Sequence, residues 1–414
     1  MSRKRILIIH PGALFPVIMA NQVRIIEMAK FLAREHSVDV ITLVKTKNQR
    51  TISSQESKSL PFRIHLINVI NPSWNPLKIV WHGIIFRLLN YFTGLSSREY
   101  YWSHPKIRKK IMEIAGRTGC DIIQTEYWYP ASVFSFFAAG TVCRVIDTHN
   151  VMAEKKVLEL KGKYGDNIPG YQKRELERYT LREKEVLGSA DLLIAISSAD
   201  QQRFFNIVPD KPQIVIPTGQ ELDQFTSYPV SPGNHTILFY GGMGSDQNIV
   251  AFFRYWKLIL PLVRNSVPGV KTLVVGSNPP ASIQDLHNGN DVVVTGYVVD
   301  VREYLAKATV MILPLELGGG FRTRVVEVMA MGIPVIGTRN ALENMEMEDG
   351  AQGYITDRDD TMAARVIQVI SDTRLRNTLS ARCREFVTGK YTLNKTYGKL
   401  SAHYAGLAPV LNSN

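Results

Sequence analysis

Short continuous runs of apolar residues alternate along the chain with stretches whose apolar positions have helical spacing. Residues 6–9 form the first such run, as expected of a strand that is covered on both faces. Apolar residues recur at helical spacing over residues 25–32, and a second apolar run occupies residues 38–44. A strand, a helix and a strand of this length predict a βαβ unit, which implies a parallel sheet.

The same alternation continues and predicts two domains of one fold class. In the first half, further strands are predicted at residues 64–70, 121–124, 143–146, 192–196 and 213–216. Residues 225–235 contain Ser, Pro, Gly and Asn without periodicity, which is typical of a linker. Beyond it, strands are predicted at residues 236–240, 271–275, 292–295, 310–313 and 334–337. We therefore predict an α/β protein with two doubly wound domains, residues 1–222 and 223–395, whose ligands bind beyond the carboxyl ends of the strands.

The composition adds a surplus of positive charge to this picture. The 414 residues are 45% hydrophobic and 21% charged, and 49 Lys and Arg against 37 Asp and Glu give a net charge of +12. Such a charge favours an anionic partner: nucleic acid, a phosphorylated ligand or an acidic membrane surface. The three cysteines are far apart and belong to no Cys/His cluster, which disfavours disulfides and structural zinc and fits a reducing cytoplasm.

Neither a signal peptide nor a membrane span is predicted. Basic residues 3–5 precede an apolar run that breaks at residue 10, whereas a signal peptide needs about 7–15 apolar residues. Residues 79–92 are the closest candidate for a span, but His82, Gly83 and Arg87 interrupt them. The aromatic and basic stretch 74–102 fits helices packed on the first domain better than a helix in a membrane interface, although the latter alternative stays open.

The most informative segment follows the predicted strand 310–313. It contains Gly318, Gly319 and Gly320, and a helix is predicted to begin near Phe321. Glycines let a ligand approach the backbone closely, and a helix start offers free N–H groups and the positive end of the helix dipole. The segment therefore predicts a phosphate cradle, with a merely flexible loop as the alternative.

Charged residues lie at the start of this predicted helix. Arg322 and Arg324 carry forked donors that suit phosphate oxygens, but residues two apart on a helix do not share a face. Both would reach one diphosphate only if the first turn is irregular or points at it end-on. Glu327, three residues after Arg324, would either form an ordinary ion pair with it or accept hydrogen bonds from ribose hydroxyls.

Residues near other strand ends and in the first helix are further candidates. Gly241 and Gly242 follow the first strand of the second domain, where a phosphate contact and a plain turn fit equally well. In the first domain, His149 and Glu126 follow predicted strands and Arg24 lies in the first helix. Each of these three could contact a substrate or be a solvated surface residue, and His149 could also be a loop histidine that forms only local hydrogen bonds.

Taken together, these residues resemble the retaining family-4 glycosyltransferases of the GT-B fold over nearly the whole chain. The order Arg-x-Arg, Glu-x-Met-Ala-Met-Gly-x-Pro within residues 318–334 is similar to the donor-binding signature of that family, and residues 294–300 are similar to its base-binding turn. The likeness is greatest to sugar transferases of bacterial exopolysaccharide or surface-glycan clusters. It implies two Rossmann-like domains that face a central cleft, with a C-terminal helix over residues 396–410 that crosses back onto the first domain.

The resemblance implies roles for the second domain, which would bind a nucleoside-diphosphate sugar. Arg322 and Arg324 would neutralise the diphosphate, and Glu327 would hold the ribose. The backbone of residues 318–321, the glycines 241 and 242 and Val298 would complete the donor site.

For the first domain the resemblance implies an acceptor site for a glycan, a lipid-linked or a protein-linked acceptor. His149 matches the histidine that meets the donor sugar in the family, and Arg24 and Glu126 are expected on the acceptor side. No cofactor and no metal are expected, because no Asp-x-Asp stands where a metal would bridge the diphosphate. The protein is expected in the cytoplasm, with contact to the inner face of an anionic membrane and none to nucleic acid, for which no motif is present.

The sequence also departs from the family pattern. The family usually has two glutamates in the donor motif. Here the position of the first is occupied by Gly319, and Glu316 lies three residues before that position. The Arg and Lys usual after the first strand of the second domain are replaced by Gly242 and Gln247. Two alternatives therefore stay open beside a retaining glycosyltransferase: a sugar-nucleotide epimerase of the same fold, and a non-catalytic protein that binds a nucleotide.

Overall fold

The computed structural model describes residues 2–17, 19–68, 99, 102, 104–138, 140–225, 235–316 and 320–407. Contacts divide the chain into two compact units: unit 1 is Met1–Gly219 with Thr396–Asn414, and unit 2 is Gln220–Lys395. The division falls at 219/220, whereas the sequence analysis places it at 222/223. The predicted linker lies outside the described residues except at its two ends, and so does the aromatic stretch 74–102 except Glu99 and Trp102.

Unit 1 contains a seven-stranded sheet in the order β3-β2-β1-β4-β5-β6-β7. Its strands are β1 Arg5–His10, β2 Ser37–Val44, β3 Arg63–Asn68, β4 Ile122–Glu126, β5 Cys143–Asp147, β6 Leu192–Ala195 and β7 Gln213–Val215. Every neighbouring pair is parallel, as the βαβ pattern predicts. Its α-helices are Ala20–Leu32, Lys47–Glu56, Pro105–Thr118, Met152–Tyr164, Gly170–Gly188, Ser198–Ile207 and Leu393–Gly406, and short 3-10 segments occupy Ser57–Ser59 and Tyr129–Phe136.

Unit 2 contains a six-stranded parallel sheet in the order β10-β9-β8-β11-β12-β13. Its strands are β8 Thr236–Tyr240, β9 Lys271–Val275, β10 Val292–Val294, β11 Val310–Leu313, β12 Val335–Gly337 and β13 Gly353–Ile355. Its α-helices are Asp246–Arg254, Leu260–Ser266, Ala281–Gln284, Arg302–Leu305, Thr323–Ala330, Arg339–Leu342, Asp359–Ser371 and Thr373–Lys390. A π-helical turn at Tyr255–Ile259 and a 3-10 segment at Glu343–Met345 complete the unit. The predicted class, two doubly wound α/β units, is confirmed.

The helical spacing near the N-terminus corresponds to a buried face. In the helix Ala20–Leu32, the side chains of Ile25, Met28, Ala29 and Leu32 are all completely buried. Residues at these spacings lie on one side of a helix, so a single stripe packs into unit 1. The strands β1 and β2 that flank this helix pair in register from Arg5 with Ser37 to His10 with Thr42.

The strand β13 is not predicted from the sequence. Gly353 pairs with Val335 of β12, and a Cβ atom at Gly353 would lie 2.0 Å from the carbonyl oxygen of Val335. Only glycine permits this approach of two backbones. A three-residue strand that begins with glycine has no periodicity to detect, which explains the miss.

Most of the C-terminal helix belongs to unit 1, which includes this helix from Thr396 onward. It runs from Leu393 to Gly406, so it begins before the expected residue 396, and residues beyond 407 lie outside the described part of the chain. Tyr397, Leu400 and Tyr404 are completely buried along one of its faces. Among the described residues, no helix has both the length and the apolar character needed to cross a membrane.

A buried carboxylate joins two helices of unit 1. Glu183, in the helix Gly170–Gly188, accepts hydrogen bonds from the backbone N–H groups of Met152 and Ala153, each at 2.8 Å. These N–H groups belong to the first turn of the helix Met152–Tyr164, which has no acceptors of its own for them. Burial raises the pKa of Glu183 to about 7, although the two hydrogen bonds act in the opposite direction.

Glu183 should make the stability of unit 1 pH-dependent. Its folded-state pKa lies above the unfolded value, so its contribution is greatest in acid and is lost as the pH rises through about 7. Between pH 5 and pH 8, the free energy of unfolding of the wild type should fall by roughly 2–3 kcal/mol relative to Glu183→Gln. Urea unfolding at each pH measures this difference. Glu185→Gln, at a mostly exposed position of the same helix, is the control; parallel pH curves for the wild type and Glu183→Gln would contradict the assignment.

Candidate functional site

The segment after β11 enters its helix through an irregular start. Gly320 has φ +112°, which side-chain-bearing residues rarely adopt, and Arg322 caps the helix in an extended conformation. The helix begins at Thr323, two residues later than the predicted Phe321, so Arg322 precedes the first turn and Arg324 lies within it. Gly318 and Gly319 lie outside the described residues.

Arg322 is half-buried beside a backbone carbonyl. Its Nε donates a hydrogen bond of 3.0 Å to the carbonyl oxygen of Ala341, and burial lowers the pKa of its guanidinium to about 10. Burial disfavours the charged form of a cation. An anion brought next to this group would offset that cost.

Tyr240, the last residue of β8, connects the two other charged residues of this segment, Arg324 and Glu327. Its hydroxyl donates a hydrogen bond of 2.9 Å to Oε2 of Glu327, and the guanidinium carbon of Arg324 lies 5.2 Å from the centre of its ring. Burial raises the pKa of Glu327, while the Tyr240 hydroxyl and the charge of Arg324 act in the opposite direction. Glu327 is therefore bound to another element of unit 2 and does not form the simple ion pair along its own helix.

The glycine turn after β8 has a packing function. A Cβ atom at Gly276, where φ is +149°, would lie 1.7 Å from the carbonyl oxygen of Gly241. The N–H of Gly241 donates to the carbonyl oxygen of Val275 at 3.0 Å, so that donor is already used. A Cβ at Gly242 would lie 3.9 Å from both terminal nitrogens of Arg324, which places the turn beside that guanidinium. The plain-turn alternative accounts for Gly241, whereas Gly242 borders the cationic group.

The turn after β10 presents two prominent side chains. Tyr297 is 77% exposed and Val299 is 95% exposed, while Val298 between them packs against the core of unit 2. The carbonyl oxygen of Gly296 accepts a hydrogen bond of 3.3 Å from the N–H of Gly276, which ties this turn to the end of β9.

In unit 1 the candidate histidine lies in a polar cluster at the ends of β4 and β5. Nε2 of His149 lies 2.6 Å from Oε2 of Glu126, and its ring stacks on that of Tyr127 with the ring centres 4.4 Å apart. Both His149 and Tyr127 have positive φ, at 55° and 69°. Burial and the nearby carboxylate of Asp147 raise the pKa of Glu126, whereas His149 acts in the opposite direction. His149 is only 4% exposed, so little of its ring is open to a ligand.

Arg24 is an internal residue of unit 1. It is 1% exposed, and its Nε and Nη2 donate to Oδ2 of Asp147 at 3.2 and 2.9 Å. Nη2 also donates to the carbonyl oxygen of Ile216 at 3.0 Å. Glu126 is likewise completely buried. Arg24 and Glu126 are therefore not solvated surface residues, because contacts within unit 1 bind both, and their contact with an acceptor stays a prediction.

A chain of hydrogen bonds links this cluster to the C-terminal helix. The Tyr404 hydroxyl donates to Oε1 of Gln124 at 2.6 Å, and Nε2 of Gln124 donates to Oε1 of Glu126 at 2.7 Å. Neither Tyr404 nor Gln124 is among the residues predicted from the sequence. No local signal could have found them, since they are 280 positions apart in the chain.

One group of side chains has the geometry of a metal site among the described residues. The ligand atoms of Glu126, Asp147 and His149 all lie within 4.8 Å of one another. Arg24 forms an ion pair with Asp147, and His149 lies at hydrogen-bonding distance from Glu126, so each carboxylate already has a partner. Metal independence stays a prediction.

Two comparisons with known sequences bear on this site. Residues 234–372 match the family model described as glycosyl transferases group 1, which spans most of unit 2. The chain is also similar to N-acetyl-alpha-D-glucosaminyl L-malate synthase of Bacillus anthracis, with 21% identity over 347 residues, 79% of this chain and 88% of that protein.

Solved structures share the fold over nearly the full length. Sucrose-phosphate synthase of Thermosynechococcus elongatus matches with a TM-score of 0.66 and 17% identity, covering 97% of this chain and 98% of its own. HepE of Anabaena, solved in complex with UDP, matches with a TM-score of 0.67 and 15% identity, covering 97% of this chain and 100% of HepE. TarM matches with a TM-score of 0.67 and 11% identity, covering 98% of this chain and 99% of TarM. The chain thus has the fold that the sequence resemblance implies.

The buried pair of Arg24 and Asp147 should be essential for the stability of unit 1. Arg24→Met leaves the Asp147 carboxylate buried beside Glu126, and we expect a loss of about 3–5 kcal/mol in the free energy of unfolding. Arg24→Met/Asp147→Asn removes both charges and should recover part of this loss. Urea unfolding measures these differences.

The matched control is Arg5→Met, whose partner is Asp121 and whose own side chain is 55% exposed. Its cost should stay below about 1 kcal/mol. Equal losses for Arg24→Met and Arg5→Met would contradict the importance of the buried pair.

Proposed function

We propose, from the premise that the chain is a glycosyltransferase with the GT-B fold, that it transfers a sugar from a nucleoside-diphosphate sugar with retention of anomeric configuration. The acceptor is a glycan, a lipid-linked or a protein-linked molecule, and the product belongs to a cell-surface polysaccharide or glycoconjugate. Unit 2 binds the donor, and unit 1 binds the acceptor.

The start of the helix Thr323–Ala330 is the observation that carries this proposal. Arg322 and Arg324 lie on either side of the first helical residue, and Glu327 follows within one turn. A helix N-terminus with two guanidinium groups suits a diphosphate, because both the dipole and the forked donors favour oxyanions. A half-buried carboxylate one turn later suits a pair of ribose hydroxyls. HepE, which has this fold, was solved with UDP and with UDP-glucose, which supports this class of donor.

The proposed chemistry is the departure of the diphosphate from the sugar. The bond between C1 and the phosphate oxygen breaks, and a bond from C1 to the acceptor oxygen forms on the same face. Arg322 and Arg324 would stabilise the negative charge that builds up on the leaving group more strongly than they bind the ground state. The proton of the acceptor hydroxyl passes to the departing phosphate oxygen, so the reaction balances without a protein nucleophile.

His149 has a supporting role in this scheme, in which it contacts the donor sugar. Its Nε2 faces Glu126, and an ionised carboxylate accepts hydrogen bonds but donates none. That arrangement keeps a proton on Nε2 and leaves Nδ1 or the backbone for the sugar.

We further propose that the protein works in the cytoplasm at the inner face of an anionic membrane. The helix Pro105–Thr118 exposes Lys106, Lys109, Lys110 and Arg117, and the net charge of the chain is +12. Basic side chains near a surface of negative potential are attracted to it by roughly 1 kcal/mol each.

A nucleotide panel tests the donor site. We expect one of UDP, GDP and ADP at millimolar concentration to raise the Tm of the wild type by several degrees, because a ligand present at about 100 times its Kd adds about 2.7 kcal/mol. The shift should disappear in Arg322→Ala. Arg358→Ala, at a mostly exposed arginine of the same unit, is the control and should respond like the wild type.

The matching sugar nucleotide then tests transfer itself. Consumption of an acceptor and retention at C1 in the product would support the proposal. A new sugar nucleotide formed without an acceptor would identify an epimerase. If none of the nucleotides binds to the wild type, the proposed donor site is wrong.

Metal independence gives a separate test. After dialysis against EDTA, the initial rate of sugar transfer should stay within about twofold of its former value, because the two arginines supply the positive charge that a metal would otherwise bring. Loss of the rate on dialysis and its recovery with Mg²⁺ or Mn²⁺ would contradict this expectation.

A further inference from the structure

Tyr240 is the one described side chain that contacts both Arg324 and Glu327, and no motif drew attention to it. It ends β8, which is the sheet neighbour of β11, and the helix bearing Arg324 and Glu327 follows β11. The hydroxyl of Tyr240 is hydrogen-bonded to Glu327 at 2.9 Å, and its ring lies under the guanidinium of Arg324 at 5.2 Å.

The contact with Glu327 orients a carboxylate. Tyr240 donates its hydrogen bond to Oε2, which fixes the plane of the group and leaves Oε1 to accept a hydrogen bond from a ligand. A hydroxyl donor also stabilises the ionised form, which is the form that accepts hydrogen bonds on both oxygens. The groups that face Glu327 are Tyr240 and, from its own helix, Arg324.

The contact with Arg324 orients a cation that is otherwise exposed. The side chain of Arg324 extends into solvent, where a long side chain loses conformational freedom whenever it binds. A planar guanidinium stacked on a ring keeps its N–H edges available while its face is covered, and a lysine cannot reproduce this geometry. The turn at Gly242 runs beside the same guanidinium, so the N–H edges lie next to a backbone without a side chain.

We propose that Tyr240 is a positioning residue of the donor site, which holds the ribose-binding carboxylate of Glu327 and the diphosphate-binding guanidinium of Arg324 in place for one ribonucleoside diphosphate. This inference rests on the proposed function. The turn between β8 and the helix Asp246–Arg254, which includes Gly242, contains no cationic residue. The inference explains how unit 2 can bind a diphosphate without one there. It also explains why an arginine suits position 324.

Calorimetric titration of the whole protein tests the inference. UDP, GDP and ADP are titrated separately into the wild type, and the nucleotide that binds most tightly is used for all variants at pH 6.0, 7.0 and 8.5. The variants are Tyr240→Phe, Tyr240→Leu, Glu327→Gln, Arg324→Lys and the double variant Tyr240→Leu/Arg324→Lys. The control is Tyr255→Phe, which removes a buried hydroxyl that is hydrogen-bonded to Thr272 at 2.7 Å in the same unit.

Removal of the Tyr240 hydroxyl should weaken binding most strongly in acid. Burial raises the pKa of Glu327 and the hydroxyl opposes that rise, so Tyr240→Phe should move the pKa further upward. The ionised carboxylate is then lost at a higher pH. We expect Tyr240→Phe to bind roughly threefold more weakly than the wild type at pH 8.5 and roughly tenfold more weakly at pH 6.0. The β-phosphate of the nucleotide titrates in the same range, so the ratio of variant to wild type at each pH is the measured quantity.

Tyr240→Leu tests the stack on Arg324 in addition. It should bind more weakly than Tyr240→Phe at pH 8.5, and Arg324→Lys should cost less in the Tyr240→Leu background than in the wild type, because the stack is already absent there. Additive losses would show that the ring does not act through Arg324 and would overturn that half of the inference.

Other outcomes separate this inference from the proposed function. If Glu327→Gln weakens binding while Tyr240→Phe matches the wild type at every pH, the donor site stands and the role of Tyr240 is wrong. If Tyr240→Phe and Tyr255→Phe weaken binding equally and without pH dependence, the effect is one of general stability and the inference is also overturned. If no nucleotide binds to the wild type, the proposed function is wrong, and so is the inference that rests on it.

Discussion

Parallel strand pairing is the constraint on which both units depend. Every neighbouring pair of strands in the two sheets is parallel, so each connection must return across the sheet before the next strand begins. All carboxyl ends of one sheet therefore lie at the same edge. Residues that follow neighbouring strands meet there: Glu126 with His149 after β4 and β5, and Tyr240 with the segment that follows β11.

The two units use buried charge differently at these edges. In unit 1, Arg24, Asp147 and Glu126 are almost completely excluded from solvent and are bound to groups of the same unit. In unit 2, Arg322 and Glu327 are half-buried. Burial lowers the pKa of Arg322 and raises the pKa of Glu327, so it disfavours the charged form of each. A half-buried cation gains when a ligand supplies an anion, and a half-buried carboxylate gains when a ligand supplies hydroxyl donors. The first arrangement satisfies its charges within the unit, whereas the second leaves charges that a ligand could compensate.

The periodic pattern was sufficient for most of the fold. The predicted strands in both halves correspond to observed strands, with ends that differ by a few residues, because long apolar runs and helical stripes are local features of the chain. It failed at β13, where Gly353 is dictated by the backbone of β12 and not by its own neighbours. It also left open that Arg24 and Glu126 are solvated surface residues, because the local sequence gives no sign of a buried partner such as Asp147, 123 positions from Arg24.

The sequence by itself determined the class of fold, most of the strands in each unit and the segment, residues 318–334, that contains most of the candidate donor-binding residues. These depend on local spacing and on short motifs. Only the tertiary structure decided which polar residues meet: Tyr240 with Glu327 and Arg324, and Arg24 with Asp147. Such pairs join residues that are distant in the chain. The pairing of parallel strands that brings them together cannot be predicted from the local sequence around either partner.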